Sequence, residues 1–183
     1  MADVQTVGLT WRDLDERYPE LEHRELHDGV LVVSPAPGWW HQRIAGILFR
    51  AFSEWTDKHG GEVFFAPVDI VASDQRVYQP DVWLLLPGHL DRLGSDGRVH
   101  APPDLVVEVS SPSTRWFDLG AKRDGYAALG VPEYWYADMG GRRVLVYRLV
   151  DGAYGPPEIV EASGTLTTPL LPGFALPVKL IFD

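Results

Sequence analysis

The sequence contains no cysteine. Disulfides, thiolate zinc sites and cysteine nucleophiles are therefore excluded. Lysine is scarce too: Lys58, Lys122 and Lys179 are the whole set. Positive charge is in deficit, with 16 Lys and Arg against 26 Asp and Glu and a net charge of -10. That balance argues against a broad basic face for nucleic acid, while leaving room for a local basic groove. No apolar run approaches the ~18 residues that span a membrane. Met1 to Glu16 carries acidic residues and no apolar h-region, so a signal peptide is not expected and a cytoplasmic location fits. There is no Gly-rich phosphate loop, no HExxH and no GxSxG, and neither an internal repeat nor a linker is visible.

What is present suits one domain over residues 1–183, with 45% hydrophobic residues to form a core. Thr10 caps a short helix from Trp11 to about Arg17, with Asp13 in the capping-box position. Arg24 to His27 and Val30 to Val33 flank Asp28-Gly29, the signal of a two-residue hairpin. Trp40 to Lys58 places Ile44, Ile47, Leu48, Ala51, Phe52 and Trp55 on one stripe and reads as an amphipathic helix ended by Gly60-Gly61. Strands are expected over Glu62 to Val71, Tyr78 to Leu86 and Leu105 to Ser110. Ser113 or Thr114 caps a helix from about Phe117 to Leu129, which Gly130 and Pro132 terminate. Glu133 to Asp138 and Arg143 to Val150 form a second hairpin across Gly140-Gly141, and Asp151-Gly152 marks another turn. The tail, Leu171 to Pro177, is too proline-rich for a central strand. This order predicts an α/β fold of the α+β type: a mixed sheet with helices packed on it.

Chemistry concentrates on two acids and a lysine. Asp81 opens the apolar run Val82 to Leu86, and Glu108 lies inside Leu105-Val106-Val107-Glu108-Val109. An ionised Glu in such a strand is costly to desolvate unless a cation pairs with it. Strand alternation puts Val106, Glu108 and Ser110 on one face, and Asp81 shares a face with Trp83 and Leu85. The two carboxylates meet if their strands are neighbours in register. Mg²⁺ commonly takes one or two carboxylates and completes its shell with water and phosphate, so Asp81 and Glu108 suit it, and Lys122 supplies a point charge for water or phosphate. Each residue also has a plainer reading. Asp81 opens a strand, Glu108 is half of a buried ion pair, and Lys122 makes an ordinary helical pair with Asp118. His41 at its helix end reads as a structural histidine. Arg142-Arg143 and the group Arg115, Lys122 and Arg123 read as phosphate contacts or as a solvated surface.

The run from Pro103-Asp104-Leu105-Val106-Val107-Glu108 to Ser113-Thr114, followed by Asp118, Lys122, Tyr126 and Gly130-Val131-Pro132-Glu133-Tyr134-Trp135, resembles the Uma-type restriction endonuclease family of the PD-(D/E)XK nuclease superfamily. Glu25-Leu26, Asp28-Gly29, Ser34-Pro35-Ala36-Pro37, His41 and Pro80-Asp81-Val82 match upstream, so the resemblance runs from about Trp11 to the proline-rich tail. It implies a restriction-endonuclease-like core with an N-terminal hairpin and extra C-terminal strands, and Mg²⁺- or Mn²⁺-dependent cleavage of DNA. Asp81 and Glu108 then stand for the metal-binding acids. The superfamily lysine belongs two residues after the acid, where this chain has Ser110, and the resemblance moves that role to Lys122. Glu25 matches an additional acid, and His41 faces the same cleft.

The expected protein is therefore a metal-dependent endonuclease with Asp81, Glu108, Lys122 and Glu25 as catalytic groups. A homodimer fits the cutting of two strands. Two rivals stay open: a non-catalytic nucleic-acid or protein interaction module on the same fold, and a small-phosphoester hydrolase.

Overall fold

The computed structural model describes residues 8–111 and 115–183. Helix α1 (Trp11–Arg17) begins as expected, the Asp13 carboxylate accepting the Thr10 N–H at 2.7 Å. Strands β1 (Arg24–His27) and β2 (Val30–Val33) pair antiparallel across Asp28 and Gly29. Both turn residues have positive φ, 52° and 78°, the conformation that a two-residue turn of this hand requires. Helix α2 (Trp39–His59) buries Ile44, Leu48, Phe52 and Trp55, and Gly60 ends it with φ 83°.

The two long strands expected next are each broken by proline. Glu62 to Val71 divides into β3 (Glu62–Phe65) and β4 (Ile70–Ser73), with Pro67 between them. Tyr78 to Leu86 divides into β5 (Arg76–Tyr78) and β6 (Val82–Leu85), with Pro80 between them. Proline has no N–H for a ladder, and each break lets the chain change sheets. β5 and β4 join the first hairpin in a four-stranded sheet of order β2-β1-β5-β4. β3 and β6 belong to a larger sheet with β7 (Leu105–Val109), β8 (Glu133–Asp138), β9 (Arg143–Val150) and β10 (Ala153–Tyr154), in the order β10-β9-β8-β7-β6-β3, and β11 (Glu158–Val160) pairs with β9. The tail adds a small antiparallel pair, β12 (Thr165–Leu166) with β13 (Leu176–Pro177), and a terminal helical turn, Lys179–Phe182.

β7 and β8 run parallel, and the connection between them is helical. It comprises α3 (Arg115–Phe117), a π-helical turn (Asp118–Lys122) and α4 (Arg123–Leu129), closed by Gly130 at φ 94°. The expected caps, Ser113 and Thr114, lie outside the described residues. α2 covers one face of the large sheet, where its Leu48 and Phe52 share a core with Leu84, Val107 and Trp135. The other face carries Trp83, Val106, Tyr134 and Tyr136, with Tyr126 of α4 and Tyr78 of β5 packed on them.

α4 approaches β5 closely at Gly125. A Cβ there would lie 2.1 Å from the Tyr78 hydroxyl and 2.7 Å from its Cζ, whereas one at Gly120 would meet nothing within 4 Å. Glycine at 125 is therefore what lets the helix settle deep enough to present Lys122 and Tyr126. Gly125→Ala is expected to cost about 1–3 kcal/mol, the usual scale of overpacking. Gly120→Ala should leave the urea midpoint nearly unchanged. Equal midpoints for the two variants would refute the close approach.

Candidate active site

The site forms where the two sheets meet. β5 leaves the small sheet, passes through Gln79-Pro80-Asp81 and enters β6 of the large one. β6 and β7 pair with Val82 opposite Val107, so continuing that register sets Asp81 opposite Glu108. Opposed residues of an antiparallel pair share a face. The Asp81 carboxylate accepts the Val109 N–H at 2.7 Å, and Oδ2 also lies 3.1 Å from His41 Nε2, in the first turn of α2. Glu25 arrives from β1 of the small sheet.

Lys122 joins these parts. Its Nζ is 2.6 Å from Glu108 Oε1 and 2.9 Å from Glu25 Oε1, while Asp118 Oδ1 is more distant at 3.9 Å. The ammonium is buried, only 5% exposed, and so is Glu108 at 4%. Lys122 is thus not the solvated helical partner of Asp118 that its spacing allowed, and it supplies the buried ion pair of Glu108. Glu108 Oε1 also accepts the Tyr126 hydroxyl at 2.9 Å. Glu25 accepts the Gln79 N–H at 2.7 Å on Oε1 and contacts His27 Nε2 at 3.1 Å through Oε2.

Charge in the cluster is lopsided. Burial, reinforced by Asp81, Asp118 and Glu25, pushes the Glu108 carboxyl well above the ordinary range against the pull of Lys122. Burial disfavours the Lys122 ammonium, but Glu108, Glu25 and Asp118 outweigh it and hold the proton more firmly than usual. For Glu25, burial works upward, yet Lys122, His27 and the Gln79 N–H bring the carboxyl down to about 2. Burial also opposes the His41 imidazolium, and the Asp81 carboxylate overcomes it and raises the pKa.

Among the described residues, no three of His, Cys, Asp or Glu form a ready-made cation cage. The donor set nonetheless fits a hard divalent ion of the Mg²⁺ kind, which often takes only one or two carboxylates. The fit lies in the surplus of buried carboxylate over ammonium just described. A cavity of about 590 Å³ opens onto Glu25, His41, Asp81, Glu108, Asp118 and Lys122.

All four expected site residues and His41 therefore come together. The basic residues Arg115, Arg142, Arg143 and Arg123 do not join them; they pair with Asp138, Asp183, Asp138 and Asp124. Sequence reasoning passed over three members: Asp118 as part of the cluster, Tyr126 and the Gln79 N–H. Tyr126 stands four residues after Lys122, a same-face spacing that could have found it. The Gln79 contact is backbone to a distant strand and leaves no local signal.

The Uma2 family, described as "Putative restriction endonuclease", matches residues 11–179, and the chain belongs to that family. A crystal structure described as "a putative nuclease belonging to DUF820", from Anabaena variabilis ATCC 29413, aligns with a TM-score of 0.73 at 18% identity, covering 87% of this chain and 89% of that one. At that identity the likeness establishes the fold. No curated protein matches the chain. Among the described residues, no helix is long and apolar enough to cross a membrane.

Two stability outcomes follow from the charge arrangement. Lys122→Met strands Glu25 and Glu108 without their cation and should cost about 3–5 kcal/mol, the scale of breaking a buried pair. Glu108→Gln leaves the ammonium two other carboxylates and removes a repelled charge, so its melting temperature should stay level or rise. Chemical denaturation of Lys122→Met and thermal melting of both variants check this, and the reverse order would refute it. Glu25, whose pKa falls from 4.5 to about 2 on folding, contributes stability that is complete above 4.5 and disappears as pH drops toward 2. The stability gap between wild type and Glu25→Gln should therefore narrow from pH 5 to pH 2. A gap that stays constant would mean that the Glu25 charge is not what the fold uses.

Proposed function

We propose that the protein is a divalent-metal-dependent endonuclease that hydrolyses DNA phosphodiester bonds. The observation that carries this reading is the convergence of Lys122 on Glu108 and Glu25, from three separate elements, beside Asp81 in one cavity. The family membership supports a nuclease and the surplus of buried carboxylate supports a metal. Asp81 and Glu108 would hold Mg²⁺ or Mn²⁺. Such an ion, when bound, stabilises charge on phosphate oxygens and acidifies a bound water.

The chain's own groups have distinct tasks. Lys122 has three donors, of which Glu108 and Glu25 engage two. The third orients a water or a phosphate oxygen. Glu25 keeps the ammonium in place and stays ionised. His41 and the Val109 N–H fix the Asp81 carboxylate. Attack of water on phosphorus breaks one P–O ester bond and leaves a phosphomonoester and a hydroxyl.

Nicking of supercoiled plasmid in Mg²⁺ or Mn²⁺ tests the reading. Wild type should nick, and a chelator should stop it. Asp81→Asn and Glu108→Gln should fold and lose at least ~100-fold in rate, the scale of one lost electrostatic group. Lys122→Arg should rescue poorly, since a planar guanidinium does not replace a compact ammonium. Wild-type rates from Glu108→Gln would overturn the assignment. Calorimetry adds a readout independent of cleavage: Mn²⁺ binding should weaken in both acid variants.

A further inference from the structure

The acidic end occupies only part of the 590 Å³ cavity. Val32, Pro35, Phe49, Phe65, Phe117 and Met139 also line it and give it apolar surface. The mouth is aromatic. Trp40 lines it at 44% exposure and stacks on Trp39, itself 68% exposed, with ring centroids 4.3 Å apart. The Arg43 guanidinium sits 5.5 Å from the Trp40 ring centroid. Phe65 is 59% exposed and meets Phe49 edge-on, and Trp116, 67% exposed, packs against Phe117. Among the described residues these four, Trp39, Trp40, Phe65 and Trp116, are the exposed large aromatics, and each either lines this cavity or stacks on a residue that does.

Electrostatics point to the same kind of occupant. Lys122 is the sole Lys or Arg among the described lining residues, against Glu25, Asp81, Glu108 and Asp118. Arg115, Arg123 and Arg143 are paired with aspartates, and Arg43 lies against the Trp40 ring, where a cation accompanies a stacked base. A duplex presents two phosphate rails, which need cations, and hides its base faces in the stack. Exposed rings instead offer stacking to bases that have left the helix.

We propose that the substrate is DNA with unpaired nucleotides. Bases stack on the exposed rings Trp40, Phe65 and Trp116, one base enters the cavity against its apolar lining, and its flanking phosphate reaches the acidic residues. This rests on the nuclease reading for the placement of the phosphate; the stacking rests on the rim itself.

Fluorescence anisotropy tests it, with Ca²⁺ as the divalent ion and strand integrity checked on a gel. The probes are a labelled single strand, the blunt duplex of the same sequence, a duplex with a central unpaired bubble, and an abasic strand of equal length. The single strand and the bubble should bind at least ~10-fold more tightly than the blunt duplex and the abasic strand. Trp40→Ala and Trp116→Ala, both surface changes that circular dichroism should show folded, are each expected to weaken single-strand binding about 5- to 100-fold, the scale of one lost base–aromatic stack. Trp40→Phe should retain most of the affinity. Equal binding of duplex and single strand, equal binding of the abasic strand, or unchanged affinity in the alanine variants would each overturn the proposal. Plasmid nicking by wild type but not by Glu108→Gln, without any preference for unpaired strands, would leave the nuclease reading standing and sink this one. Stacking-dependent binding with no cleavage of any probe in Mg²⁺ or Mn²⁺ would do the opposite.

Discussion

A single ammonium holds the centre of this molecule together. Lys122 comes from the helical crossover, Glu108 from the large sheet and Glu25 from the small one, and the three meet within 2.9 Å in a space almost closed to water. Desolvating such charges is expensive, and only close pairing with further hydrogen bonds offsets it. The further bonds are present: the Tyr126 hydroxyl on Glu108, and the Gln79 N–H and His27 on Glu25. The relative position of the two sheets is consequently tied to the geometry of the site. Gly125 belongs to the same constraint, because the approach of α4 to Tyr78 sets the depth of Lys122.

The protein's other buried acids show what a purely structural carboxylate looks like here. Asp104 accepts the Leu86 N–H at 2.7 Å, contacts His89 at 2.8 Å and lies near Arg92. Glu133 is held by Arg148, Thr168 and the Trp135 indole. Asp138 lies between Arg115 and Arg143. Each has at least one arginine within 3.4 Å. At the site, Glu25 and Glu108 share one lysine, with Asp81 and His41 beside them. Charge balance, rather than burial, separates the two kinds of acid.

Much of this was legible in the sequence, and the exceptions have physical reasons. The hairpin at Asp28-Gly29, the stripe from Ile44 to Trp55 and the alternation around Glu108 are local patterns, and each produced the expected element. The continuous strands expected across Pro67 and Pro80 are each broken there, because proline offers a ladder no N–H whatever the apolar alternation around it. Those breaks send the chain from one sheet to the other and so create the site. The pairing of Asp81 with Glu108 was readable as a conditional, needing only that their strands be neighbours. The meeting of Glu25 with Lys122 depends on how two sheets are set against each other, which no local period encodes. The resemblance to a family named both residues as members of one site, but not their contact with each other.

The composition also acquires a physical sense. A chain with net charge -10 and three lysines is poorly equipped to grip a polyanion by counterion release. The cavity divides the work differently. Its acidic end, with one ammonium, suits a reacting phosphate only when a cation offsets the carboxylates. Its rim, carrying Trp39, Trp40, Phe65 and Trp116 with Arg43 against Trp40, offers mainly aromatic area. Affinity drawn from stacking does not require the acidic end to be neutralised by protein cations, so the carboxylates there can remain in surplus and keep their capacity for metal. A basic groove in the same place would have paired those carboxylates and removed that capacity.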